Sequence, residues 1–245
     1  MKRMKNKTKN KMMLYGRNSV LERIKANPKS IKKILLQDNF DVEHIIKQIK
    51  LAGIPLERVS KKRLMGSKRA EDLQGIVAEV SPFEYTPFEE LISTNQKTRP
   101  TLIFLDRIYD PHNLGSIIRI AACFGKFAVV IPGHKACKVT EAVIHVASGG
   151  ENYVAVSMVS NLTNALLAAK KQGYWIAGTA VEEGEDLTSV ELPFPLGIVL
   201  GSEGEGVRYG IEKHLDKKVR IHMKGVPLSL NVAMACAILC YEIAK

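Results

Sequence analysis

Residues 101–131 read TLIFLDRIYDPHNLGSIIRIAACFGKFAVVI, and this stretch decides the fold class. Residues 101–105 form an apolar run of strand length, and residues 127–131 form another. Between them lie a polar loop and apolar residues at helical spacing over 113–124, where Asn113 is placed to cap the helix. Strand, helix and second apolar strand predict a βαβ unit whose strands are parallel and buried on both faces. The alternation continues with helices over 140–147 and 162–171, strands over 174–178, 196–200 and 218–221, and a closing helix over 229–244. The predicted class is α/β, with a parallel sheet in residues 101–245.

Upstream, residues 12–80 predict a small separate α/β unit. Asn18 is placed to cap a helix that Asn27-Pro28 ends, and residues 31–36 read as a strand. Asp41 precedes a helix whose apolar positions are Val42, Ile45, Ile46 and Ile49. Strands are predicted over 56–59 and 75–80. Residues 81–100 carry Pro82, Pro87 and Pro100 and read as a linker with one short helix near 88–92. Residues 1–11 hold six basic residues and no acid, and read as a disordered basic arm.

The chain has 245 residues and a formal net charge of +11. The surplus is one-sided: residues 1–100 hold 22 Lys+Arg against 11 Asp+Glu, whereas residues 101–245 hold 14 of each. Clusters at Lys61-Lys62-Arg63 and Lys68-Arg69 add to the arm. Such a block is the electrostatic footprint of a nucleic-acid partner, because each cation that meets a phosphate releases a counterion. No run of 18 apolar residues exists, so no membrane span is expected, and the basic start lacks the apolar core of a secretory signal. Four cysteines without a C-x-x-C pair predict reduced thiols and a cytoplasmic protein.

Three loops carry the polar chemistry. The first, Asp106 to Arg119, follows a strand and holds Asn113 and Arg119, six residues apart. The second is Gly201-Ser202-Glu203-Gly204-Glu205-Gly206, glycine-rich but neither a G-x-G-x-x-G nor a Walker loop. Its two carboxylates would repel phosphate, which favours a ligand approached by backbone groups; alternatively it is a tight turn with Glu205 at a helix start. The third, Ile221 to Asn231, leads into the closing helix, with Ser229 or Asn231 as its cap. That helix is apolar on nearly all sides, which predicts burial in the core or in a subunit interface. The six histidines form no metal-ligand motif, and no G-x-S-x-G nucleophile elbow occurs.

Together D-P-H-N-L-G-S-I-I-R, L-G-S-E-G-E-G and I-H-M-K-G-x-x-x-S-L-N-V, in this order, resemble the three motifs of the SpoU (TrmH) family of RNA ribose 2′-O-methyltransferases. Residues 13–80, opening with Tyr15-Gly16-Arg17-Asn18-Ser19-Val20, resemble the RNA-binding domain of its ribosomal-RNA branch, which has a ribosomal-protein-like fold. The resemblance implies a knotted SPOUT-type catalytic domain, S-adenosylmethionine as methyl donor, a homodimer, and no metal. It places cofactor contacts on Gly201, Ile221, Leu230, Thr179 and Ala180. It places catalytic and RNA-contacting roles on Arg119, Asn113, Glu203, Ser229 and Asn231. His222, Ala233 and Asn152 stand where the family often has Pro, Ser and Glu. The expected substrate is a guanosine ribose of large-subunit ribosomal RNA. The alternatives are a transfer-RNA methyltransferase, a resistance methyltransferase acting on ribosomal RNA, and a non-catalytic ribosome-assembly factor of the same fold.

Overall fold

The computed structural model describes residues 11–40, 43–65, 73–93, 99–180, 183–226 and 228–245. Most of the basic arm, Asp41, Val42 and the Lys68-Arg69 cluster lie outside these residues. The first sheet comes from β1 (Met12–Tyr15), β2 (Ile31–Gln37), β3 (Leu56–Val59) and β4 (Ile76–Val80), in the order β1-β4-β2-β3. β4 runs antiparallel to β1 and β2, and β3 runs parallel to β2. Helices Arg17–Ala26, Glu43–Leu51 and Lys61–Met65 connect these strands. In the second helix Ile45 and Ile49, one turn apart, are fully buried, while Glu43, His44, Lys47 and Lys50 face solvent. Amphipathic spacing of this kind is what docks a helix on a sheet.

The second sheet has seven strands, all parallel. They are β5 (Thr101–Leu105), β6 (Phe127–Pro132), β7 (Ala155–Val159), β8 (Trp175–Thr179), β9 (Glu185–Asp186), β10 (Leu196–Leu200) and β11 (Lys217–Arg220). Their order is β7-β6-β5-β10-β8-β11-β9. Successive side chains of a strand point to opposite faces. Ile103 and Leu105 of β5 accordingly join the core shared with helices Pro111–Phe124, Glu141–Ala147 and Val232–Ala244. Leu102 and Phe104 join the core shared with helices Phe88–Ser93, Leu162–Lys171 and Tyr209–Glu212. Both faces of β5 are covered, which is why it reads as a continuous apolar run.

Several expectations are corrected. The first helix starts at Arg17 after Gly16, with no side-chain cap, so Asn18 lies inside it. Asp110, not Asn113, caps the Pro111–Phe124 helix by accepting from the His112 amide. Three strands were not legible: β1 abuts the lysine arm, β9 is two residues long, and β7 is an edge strand with Met158 exposed. Residues 81–87 are not a free tether. The Thr86 amide donates to the Val156 carbonyl at 2.9 Å, and the Val139 amide donates to the Tyr85 hydroxyl at 2.9 Å. The closing helix starts at Val232, later than expected, and within one chain only one side of it is buried. Val232, Cys236, Leu239 and Cys240 are buried, whereas Met234 is 62% and Tyr241 56% exposed. Among the described residues, no helix is long and apolar enough to cross a membrane.

At the carboxyl end of β5, Asp106 ties the neighbouring strand's loop in place. Its amide donates to the Leu200 carbonyl at 2.8 Å. Its fully buried carboxylate accepts from the Arg208 amide at 3.0 Å and from Arg208 Nε at 2.8 Å. The Arg208 side chain is half exposed and can rehydrate, so losing its partner costs less than breaking a fully buried pair. Asp106→Ala is expected to lower stability by about 2 kcal/mol, read as a shift of the denaturant midpoint.

Candidate active site

β5, β10, β8 and β11 are consecutive neighbours and parallel, so the loops leaving their carboxyl ends open at one edge of the sheet. This is the edge at which open parallel sheets hold ligands. The loops start at Asp106, Gly201, Ala180 and Ile221, positions scattered over more than a hundred residues of sequence.

Asp110 and Pro111 together start the helix after β5, with Pro111 at its first turn. Asn113 is thereby released from capping, and its side chain crosses to the other loops. Asn113 Nδ2 donates to Glu203 Oε1 at 3.1 Å, and Asn113 Oδ1 accepts from Asn231 Nδ2 at 2.9 Å. Asn231 also donates to Glu203 Oε1 at 2.8 Å, while its own Oδ1 caps the closing helix by accepting from the Ala233 amide. The Val232 amide donates to the same Glu203 oxygen at 3.3 Å. One carboxylate oxygen thus gathers all three motifs, and it lies at a helix N-terminus, where negative charge is favoured.

The 201–206 loop is a tight turn closed by a bridge between Ser202 and Gly206. A Cβ on Gly201 would lie 2.1 Å from the Gly206 carbonyl carbon, so only glycine fits there. Glu205 does not start a helix. It pairs with Arg107, so neither carboxylate of this loop stands as a bare anion. Thr179 and Ala180 sit beside these residues: the Thr179 hydroxyl donates to the Val199 carbonyl at 3.3 Å, and the Ala180 amide to the Val219 carbonyl at 2.9 Å. Ile221 and Leu230 are half-buried. Arg119 and Ser229 are not joined to the Asn113–Glu203–Asn231 cluster. Both are exposed, and among the described residues neither side chain makes a hydrogen bond or ion pair. Asp106, Arg107 and Arg208 are site-building residues that the sequence reading passed over. The signal for Asp106 and Arg107 was a charged pair directly after an all-apolar strand; Arg208, eight residues past β10, had none.

Two family descriptions match the chain. SpoU rRNA Methylase covers residues 100–241, and RNA 2′-O ribose methyltransferase substrate binding covers residues 13–86. A protein of Staphylococcus saprophyticus named as a TrmH-family tRNA/rRNA methyltransferase is 34% identical over 239 residues, which is 96% of this chain and 95% of that one. The chain belongs to the SpoU (TrmH) family of RNA 2′-O-ribose methyltransferases. A Synechocystis protein named as an uncharacterized tRNA/rRNA methyltransferase is 36% identical over 95% of this chain, and the match spans 62% of that protein's length. In fold, the chain is similar to the SpoU methyltransferase AviRb of Streptomyces viridochromogenes in complex with AdoMet. The TM-score is 0.78 at 19% identity, covering 96% of this chain and 89% of that one.

Glutamine at 203 would keep the shape of the central acceptor but remove the charge that holds two amide side chains and a helix N-terminus. Hydrogen bonds to a charged partner are worth more than neutral ones. Glu203→Gln is expected to lower the methyl-transfer turnover number about tenfold with the fold retained, measured by labelled-methyl incorporation alongside circular dichroism.

Proposed function

We propose that the protein transfers a methyl group from S-adenosylmethionine to the 2′-hydroxyl of a guanosine in large-subunit ribosomal RNA. The observation that carries this reading is the hydrogen-bonded junction of Asn113, Glu203 and Asn231 at the carboxyl edge of the sheet, with an exposed Arg119 further along the helix that carries Asn113. A non-catalytic assembly factor has no need of that junction. An RNA partner is supported by the basic first hundred residues, and the ribosomal target by the substrate-binding domain at 13–86, whose sequence resembles that of the ribosomal-RNA branch.

The cofactor fits the edge. Gly201 opens the loop after β10 where no side chain has room, Thr179 ends β8, and Ala180 and Ile221 open the loops after β8 and β11. We assign cofactor contact to these residues and to Leu230. When bound, S-adenosylmethionine supplies a methyl carbon on a sulfonium, an electrophile that needs no metal. Gly201, Thr179, Ala180, Ile221 and Leu230 would hold it, and the chemistry it would supply is methyl transfer to a ribose 2′-hydroxyl, with the carbon–sulfur electron pair retained by sulfur and the hydroxyl proton released to solvent. Alignment of the reacting atoms is worth about 7–11 kcal/mol of barrier. Guanidinium stays protonated in proteins, so Arg119 is assigned to holding the RNA phosphate and stabilising the developing alkoxide rather than to taking the proton. Asn113, Glu203 and Asn231 hold the ribose pocket in shape, and Ser229 contacts substrate.

We further infer a homodimer, a deep trefoil knot in the carboxyl segment and a cytoplasmic location. The dimer is supported by an apolar face on the closing helix, with Met234, Ile238 and Tyr241 exposed and Tyr241 set edge-on against exposed Phe124. The knot reading is supported by β10 inserted between β5 and β8, with the closing helix bonded back to the loop after β10. Four unpaired cysteines favour the cytoplasm.

Labelled cofactor offered with separate ribosomal and transfer RNA pools tests the function. Ribose methylation of the ribosomal pool is expected, and methylation of transfer RNA alone would transfer the assignment there. In the same assay Arg119→Ala is expected to abolish incorporation while S-adenosylmethionine affinity by calorimetry stays within a few-fold. Light scattering at micromolar concentration is expected to give twice the 27.1 kDa chain mass; the monomer mass would refute the dimer.

A further inference from the structure

The two edges of the first sheet have different surroundings. β1, at one edge, lies against the catalytic domain. The Met13 amide donates to Glu141 Oε1 at 2.7 Å, and the Tyr15 ring stacks on His145 with centroids 4.3 Å apart. β3, at the other edge, lies three strand spacings away, about 14 Å. Arg58 on β3 and Lys61 and Lys62 just after it are exposed and form no ion pair among the described residues. Arg63 and Lys33 in the same region are partly neutralised by Glu57.

Residues 149–153 fill the seam between the domains. A Cβ on Gly149 would lie 2.5 Å from Glu22 Cβ, and one on Gly150 would lie 3.0 Å from Arg119 Cα. This backbone is therefore sandwiched between the Arg17–Ala26 helix and the turn that carries Arg119. Next to it the Glu151 carboxylate is fully buried and accepts from Arg23 Nη2 at 3.2 Å and Asn152 Nδ2 at 3.2 Å. At the rim, the Tyr153 hydroxyl donates to Glu22 Oε2 at 2.6 Å. Burial raises the Glu151 carboxyl above the usual carboxylate range although Arg23 pulls it down, and among the described residues Arg23 Nε and Glu151 Oε2 stay buried with no hydrogen-bond partner. A pair so incompletely satisfied adds little stability over an apolar one; what it adds is direction.

We propose that Arg23 and Glu151 are positioning residues that lock the substrate-binding domain beside Arg119, so that RNA held on the distal Arg58–Lys61–Lys62 edge meets the ribose site in register. The proposal rests on the methyltransferase reading above and adds to it the kind of RNA required: one long enough to engage both places at once. A rigid spacer raises the effective concentration of the second contact once the first is made.

The test uses the full chain with Arg23→Met/Glu151→Leu, which removes both charges together and leaves none buried alone. Thermal midpoint and S-adenosylmethionine affinity are expected to be unchanged. Affinity for a long ribosomal RNA transcript is expected to fall about tenfold, with KM rising and kcat kept. Affinity for a hairpin too short to span from Arg119 to β3 is expected to be unchanged. Arg58→Glu/Lys61→Glu/Lys62→Glu should produce the same selective loss, and the combined variant little more than either alone, since coupled sites are not additive. Unchanged long-RNA affinity in the double variant, equal losses on long and short RNA, or full additivity would each overturn the proposal. Binding judges the lock and methyl transfer judges the reading beneath it. A protein showing the selective binding loss but methylating no RNA would refute the methyltransferase reading and uphold the lock.

Discussion

The site depends on the common direction of β5, β10, β8 and β11. Parallel ladders fix Leu105 opposite Leu200, Val199 opposite Gly178 and Val219 opposite Thr179, so all four strands end at one edge. A slip of one residue in any pair would turn its side chains to the wrong face. Leu102 and Phe104 would then meet the helices that now receive Ile103 and Leu105, and Asp106 would lose the Leu200 carbonyl and Arg208. The apolar alternation of the strands is thus what places the polar loops, and the hydrogen bonds among the loops only complete the arrangement.

Within that frame the polar groups divide by freedom of movement. Asn113, Glu203 and Asn231 are each held by the others, and Asn231 is held again as a helix cap. Groups fixed in this way need not reorganise when charge develops, which is what makes a preorganised site effective. Arg119 is on the same helix as Asn113 but nearly two turns on, and its exposed side chain has no partner among the described residues. A long cation left free can follow a phosphate that arrives with the substrate, which a locked one could not.

Legibility in the sequence followed the strength of the local signal. β5, β6 and β10 are buried along their whole length, and their uninterrupted apolar runs announced them. β7 has one partner strand and an exposed Met158, so its pattern was diluted. Asn113 looked like a cap because Asn favours caps, yet Asp110 before Pro111 is the stronger start signal, and recognising it frees Asn113 for the site. Glu205 looked like a helix-start acid, but its partner is Arg107, ninety-eight residues away. No local rule reports a pairing at that distance. The domain seam was invisible for the same reason: Arg23 and Glu151 are 128 residues apart, and each alone reads as an ordinary surface charge.

An acidic loop at the heart of an RNA site needs a physical account. Glu203 and Glu205 would repel a polyanion if they stood free, and residues 101–245 carry no net charge to offset them. Glu203 instead faces two amide side chains and the positive end of a thirteen-residue helix, and Glu205 faces Arg107. Each carboxylate is thus engaged by a neighbour on its own chain, and in the proposed mechanism the phosphate contact falls to Arg119. One arginine attracts RNA weakly over any distance beyond a Debye length. The binding energy must then come from somewhere else on the same molecule, and the surplus of positive charge lies entirely in the first hundred residues. That separation makes the seam between the domains part of the chemistry: capture at one place assists reaction at another only if the distance between them is held.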